Sequence, residues 1–226
     1  MRSTMGGQRE VLAAAYRNAR GPVAYLDESY QVVNADVTTD NTFYVLTAVI
    51  VGFDQMAELR RGLREIADDD WWHTTEALQH DEGRDRTEDM LGFLAEGPET
   101  CVLALRAPIE SADTTGESAR RSCYRGLVTR LGNGGDDWDA TDLIVLEQRN
   151  QRTLRATDER THRELLGDGL IPRGTRLLQT SPAAERLLWL PDVVSSAYRR
   201  SLTHSDRTGK FFTLIDDQVH FVPPLD

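Results

Sequence analysis

The stretch Val23-Ala24-Tyr25-Leu26-Asp27-Glu28-Ser29-Tyr30-Gln31-Val32-Val33 decides how this chain is read. It is rich in β-branched and aromatic residues, the composition of a strand, yet it carries two carboxylates where burial makes each one costly. Two explanations compete. Asp27 and Glu28 mark a strand end or bulge with both side chains in water, or they belong to a carboxylate cluster that holds a hard divalent cation. Successive strand side chains point to opposite faces, so only one of the two acids faces such an ion unless the strand is bulged.

Outward from this stretch the pattern alternates. A polar, turn-like segment over 34–41 leads to a long β-branched run over 42–51, which predicts an antiparallel pair of strands. Met56, Leu59, Leu63 and Ile66 follow at spacings of three and four, predicting a helix over 56–69. A second short helix is predicted over 87–95, then a strand over 100–106. The stripe Cys123, Leu127, Val128, Leu131 predicts a helix over 118–131, stopped at Gly132-Asn133-Gly134-Gly135. A strand over 142–147, a polar helix over 155–166, a strand over 175–179 and a helix over 192–202 come next. A hairpin is predicted last, from 211–215 and 219–222 joined by Asp216-Asp217-Gln218. A leading hairpin followed by alternating strands and helices describes an α/β domain with a mixed sheet. The expected organisation is one domain over 1–226, with an N-terminal helix in 1–20, a core over 21–205 and the hairpin in 206–226.

Composition narrows the function classes. With 226 residues and 39% hydrophobic content the chain can bury one sizeable core, and no apolar run reaches the length that spans a bilayer. The apolar stretch over 11–16 is cut off by Arg17 and Arg20 and reads as an amphipathic helix rather than a signal peptide. Cys101 and Cys123, the two cysteines, lie too far apart for a zinc module, and a reduced cytoplasm is the expected setting. A net charge of -11 argues against indiscriminate coating of nucleic acid. The charge is uneven, however: residues 149–210 hold 12 Lys and Arg against 7 Asp and Glu. Such a basic third beside an acidic body can lead a polyanion toward a carboxylate-lined site; a solvated arginine-rich helix face accounts for the same counts.

Several chemistries are excluded by their missing motifs. The chain has no Gly-x-x-x-x-Gly-Lys-Ser/Thr loop, no Gly-x-Ser-x-Gly elbow, no Cys-x-x-Cys and no His-Glu-x-x-His. Other candidates remain. His73 and Glu76 are three residues apart and share a face if their segment is helical, although a histidine beside Trp71 and Trp72 is as readily a packing residue. Glu147 ends the apolar strand Leu143-Ile144-Val145-Leu146, at a sheet edge where α/β proteins place chemistry. Asp192 follows Pro191 at a helix start, where an acid also complements the helix dipole.

These places, taken in order, resemble a known pattern. The DES strand, the His-Thr-Thr-Glu segment, the acid closing a central strand and the late Leu-Trp-Leu-Pro-Asp-Val-Val helix are similar to bacterial domain-of-unknown-function family three thousand eight hundred, a branch of the ribonuclease H-like superfamily. The resemblance runs from about residue 23 to residue 202. Glu147 stands where that family commonly has Asp, and Trp189 and Pro191 stand where it usually has Gln and Ala. The resemblance implies a ribonuclease H-like mixed sheet flanked by helices and a nuclease that cleaves phosphodiester bonds. It implies two Mg²⁺ or Mn²⁺ ions held by Asp27, Glu76, Glu147 and Asp192, with Glu28 as a substitute or outer ligand and His73 as a proton-transfer aid. DNA or RNA would bind through the arginines of the C-terminal third, with no membrane partner; a second copy of the chain or another protein is a further partner to consider. Two other readings stand beside this one: a catalytically silent nucleic-acid- or protein-binding accessory of a mobile element or defence system, and a hydrolase of small phosphoesters.

Overall fold

The computed structural model describes residues 2–34 and 36–226. Helix α1 (Arg2–Arg17) precedes strand β1 (Val23–Gln31), which turns back into β2 (Phe43–Val51). Helices α2 (Met56–Ala67), α3 (Thr74–Ala77) and α4 (Asp81–Ala95) lead to β3 (Thr100–Arg106), and α5 (Glu117–Asn133) leads to β4 (Leu143–Glu147). Then come α6 (Arg152–Gly167), β5 (Arg176–Thr180), α7 (Trp189–Thr203) and β6 (Val219–Val222). The six strands form one mixed sheet in the order β5-β4-β1-β2-β3-β6, with helices on both faces.

Period-two alternation explains the layering. Val23 and Tyr25 of β1, Val45 and Val49 of β2, and Leu143 and Val145 of β4 point to the side of α2, α4 and α7. Their neighbours Ala24, Leu26, Leu46, Ala48, Ile144 and Leu146 point to the side of α5 and α6. All nine residues of β2 are buried, as a central strand covered on both faces requires, and this is why it reads as an apolar run interrupted only by Thr47. In α2 the buried residues Met56, Leu59, Leu63 and Ala67 recur at spacings of three and four. A wholly buried leucine such as Leu63 contributes about 1.5–3 kcal/mol through the area it removes from water.

Helix α7 lies across β1 and β2 and buries Trp189, Leu190, Pro191, Val193, Val194 and Ala197, while Asp192, Ser196 and Arg199 form a polar stripe. Pro191 sits in the first turn, where its missing N–H has no helical acceptor to serve. The outer side of α7 is covered by a 3-10 segment, Arg207–Leu214, with Tyr198 edge-on to Phe212 at 5.0 Å.

The C-terminal segment does not form the expected hairpin. Residues 211–215 form no strand; they lie within or just after that 3-10 segment, and β6 pairs in parallel with β3 at the sheet edge. The reason is local. The Asp206 carboxylate accepts the Thr208 N–H and starts a helical turn. Phe211 is then buried against the α7 layer instead of pairing with β6. Among the described residues no helix is long and apolar enough to cross a membrane.

Candidate active site: a carboxylate cleft between the sheet and α7

Strands β1 and β4 run parallel, with Tyr25 opposite Val145 and Leu26 opposite Leu146. One step further along each strand come Asp27 and Glu147, which share the face turned toward α7 because Tyr25 and Val145 do. Asp192 meets them from the first turn of α7. All three, with Glu28, His73 and Arg199, line one cleft of about 530 Å³.

Asp192 is held by a short chain of donors. One of its oxygens accepts the Thr74 backbone N–H at 3.0 Å and the Thr74 hydroxyl at 2.8 Å, and the other lies 3.5 Å from the Ser196 hydroxyl. The Trp72 indole N–H donates to the same Thr74 hydroxyl oxygen at 2.9 Å, fixing its orientation. The carboxylate is thereby aimed before any ligand arrives.

The electrostatics of the three acids are alike. Burial pushes the Asp27 carboxyl well above the usual range, and Glu147, Asp192 and Glu28 push it further in the same direction. Glu147 rises to about 7 through burial and then through Asp192 and Glu28. Burial also raises Asp192, while the Thr74 hydrogen bonds and nearby His73 pull it back. Neighbouring carboxylates in a partly dry cleft cannot all ionise without a counter-charge, and they share protons when none is present.

Glu28 is placed differently. On the opposite face of β1 it pairs at 2.5 Å with Arg120 of α5, whose guanidinium is only 2% exposed. Arg120 also donates twice to Asp158, at 3.0 Å each, and to the Tyr44 hydroxyl at 2.9 Å. The Glu28 side chain reaches the rim of the cleft but is anchored from behind.

Glu76 does not line the cleft. It is exposed on α3, a single turn whose inward residue is Thr74, and residues two apart on a helix do not share a face. His73 is exposed at the mouth of the cleft. Thr74, Ser196 and Arg199 are site residues that sequence reasoning missed. The signal for the last two was available: they follow Asp192 by four and seven positions on one helix face. Nothing in the sequence marks Arg120 as the partner of Glu28.

The residues present suit hard cations. The donors are carboxylate oxygens that repel one another, and the cleft is open. They do not form a closed cage: among the described residues no three His, Cys, Asp or Glu side chains approach closely enough to enclose an ion by themselves.

No protein-family model and no curated protein sequence matches the chain. Among solved structures it is similar to Bst-RNase HIII in complex with Mn²⁺, with a TM-score of 0.41 and 12% identity over 80% of this chain and 53% of that one. A glutamine-to-alanine mutant of Bst-RNase HIII gives a TM-score of 0.39 and 15% identity over 83% of this chain and 56% of that one. The chain thus spans about half the length of the structures it matches.

Proposed function

We propose that this chain is a metal-dependent nuclease of ribonuclease H-like type, with Asp27 as the central ligand and Glu147 and Asp192 as its partners. The observation that carries the reading is the convergence of these three acids, drawn from β1, β4 and α7, on one cleft where, among the described residues, no arginine or lysine pairs with them. Elsewhere among the described residues two of the three buried acids have their arginines, Glu185 with Arg60 at 2.7 Å and Asp158 with Arg120 at 3.0 Å; Glu99 stands alone, away from the cleft. Divalent ions, when bound, supply the activation of water and the stabilisation of the leaving oxygen that phosphodiester hydrolysis needs. The chain's own residues do the rest. Asp27 and Glu147 hold their positions through the sheet, Thr74 and Ser196 fix Asp192, and His73 exchanges protons with solvent at the mouth of the cleft.

A second reading has one observation in its favour. With Glu76 turned outward and Glu28 tied to Arg120, only three of the four acids that line the cleft are unpaired, which suits a binder that has lost catalysis. Incubation with labelled single-stranded and duplex DNA and RNA in millimolar Mg²⁺ or Mn²⁺ separates the two. Cleavage by the wild type that disappears in Asp27→Asn supports the nuclease; retained binding without cleavage under either metal supports the silent binder.

A further inference from the structure

We infer that the recess beside the carboxylate cleft, formed by Thr75, Gln79, Ser196, Arg199, Arg200 and His204, seats a backbone phosphate of the nucleic-acid strand next to the one cleaved. The inference rests on the proposed function for its choice of polymer. Three features carry it.

The first is continuity. The recess, about 320 Å³, shares Thr75, Ser196 and Arg199 with the acidic cleft, so a single strand of polymer can occupy both. The second is register along α7. Asp192, Ser196, Arg199 and Thr203 recur at spacings of four, three and four and form one stripe, which changes from acid to base about 10 Å along the helix axis. Acids that would hold cations against the reacting phosphate are thus followed, on the same helix face, by cations that suit its neighbour.

The third feature is unanswered charge. Most arginines of this protein with restricted exposure are matched to carboxylates, as Arg60 is to Glu185 and Arg120 is to Asp158. Among the described residues Arg199 forms no ion pair, and Arg200 donates to the neutral Thr208 hydroxyl at 2.5 Å. Both are half-buried walls of a recess rather than members of a solvated face. Asp206, the acid nearby, accepts the Thr208 N–H and hydroxyl instead. Burial holds Arg200 below its ordinary range, against the pull of Asp206 and with the push of Arg84 and Arg199. His204 is lowered by burial and then by Arg200. An oxyanion entering the recess would relieve this crowding, and guanidinium groups are the side chains best shaped to receive one.

The experiment measures binding rather than cleavage. The whole Asp27→Asn chain is titrated into fluorescein-labelled oligo-dT and oligo-U of about 20 nucleotides and a duplex of about 20 base pairs, sizes that exceed a single-strand site, at several salt concentrations. Arg199→Ala and Arg200→Ala, each added to that background, should weaken binding of the preferred probe about 5- to 10-fold at low salt. Each should reduce the slope of log affinity against log salt by about 0.7–0.9, the loss of one phosphate contact. Arg199→Lys should restore most of the slope, and Arg130→Ala, on the exposed side of α5 across the sheet, should change neither quantity. Unchanged binding and slope in both alanine variants, an equal loss in Arg130→Ala, or no binding to any probe would overturn the recess as a phosphate site. Groove-dependent binding in a wild-type protein that cleaves nothing would leave this inference standing and remove the catalytic one; cleavage with binding insensitive to Arg199 and Arg200 would do the reverse.

Discussion

Asp27 and Glu28 are neighbours in one strand, yet the two faces of β1 treat them in opposite ways. Behind the sheet Glu28 joins Arg120, Asp158 and Tyr44 in a cluster where a buried guanidinium answers two carboxylates. In front of it Asp27 joins Glu147 and Asp192, and acid faces acid. Removing a partner from the first cluster leaves an uncompensated buried charge, whereas removing one from the second relieves repulsion. A charged group that is matched serves the fold; three unmatched acids gathered on one cleft are the arrangement that a bound cation would answer.

The largest expected effect tests the front face. Asp27→Asn should reduce metal-dependent cleavage by more than about 10³-fold, over ~4 kcal/mol in the barrier, while leaving the melting temperature unchanged or higher. A variant that keeps a tenth of wild-type activity in a single-turnover assay would remove Asp27 from the chemistry. Arg120→Ala tests the back face and should do the opposite, costing about 3–5 kcal/mol of stability in urea unfolding because Glu28 and Asp158 lose their cation. A loss below about 1 kcal/mol would show that the rear cluster is not the anchor described.

Smaller effects sharpen the contrast. The folded pKa of Glu147, about 7, lies above its ordinary value of 4.5, so the folded state takes up a proton more readily than the unfolded one between these limits. Without metal, stability should therefore fall as pH rises from about 5 to 8, on the order of 1–2 kcal/mol from this group. Millimolar Mg²⁺ or Mn²⁺ should flatten the dependence and raise the melting temperature at about pH 8, because a cation favours the ionised acids. Thermal melts across pH, with metal and with chelator, measure this; coincident curves would count against a cation site. The smallest effect belongs to Glu76→Ala, expected to change stability by less than about 0.5 kcal/mol and cleavage by less than about threefold. If cleavage collapsed instead, the His73–Glu76 turn would have to swing inward when substrate binds, adding an acid that no arginine pairs with.

How much of this was legible in the sequence varies with the range of the interactions involved. The β1–β2 pair can be read because its pattern is local and both strands are apolar over most of their length. The helix expected over 87–95 is too short: α4 begins at Asp81, and its first turn is polar and carries no apolar stripe. The hairpin expected at 211–215 fails for a related reason. Phe211-Phe212-Thr213-Leu214-Ile215 has strand composition, but the Asp206 cap and the surface of α7 recruit it into 3-10 turns. The order of the acids along the chain is readable, whereas their faces are not. Asp27 is assigned to the front only because Tyr25 and Val145 pack there, and Glu76 is assigned to solvent only because Thr74 turns in toward Asp192.

The parallel pairing of β1 with β4 also sets a timetable. A chain emerging from the ribosome can close the β1–β2 hairpin early, but Asp27 then has no acid beside it. Glu147 arrives with β4, after four helices and another strand have been laid down, and Asp192 arrives later still with α7. The cleft is therefore assembled only when most of the polypeptide has been synthesised, and an unfinished chain does not yet bring its three acids together.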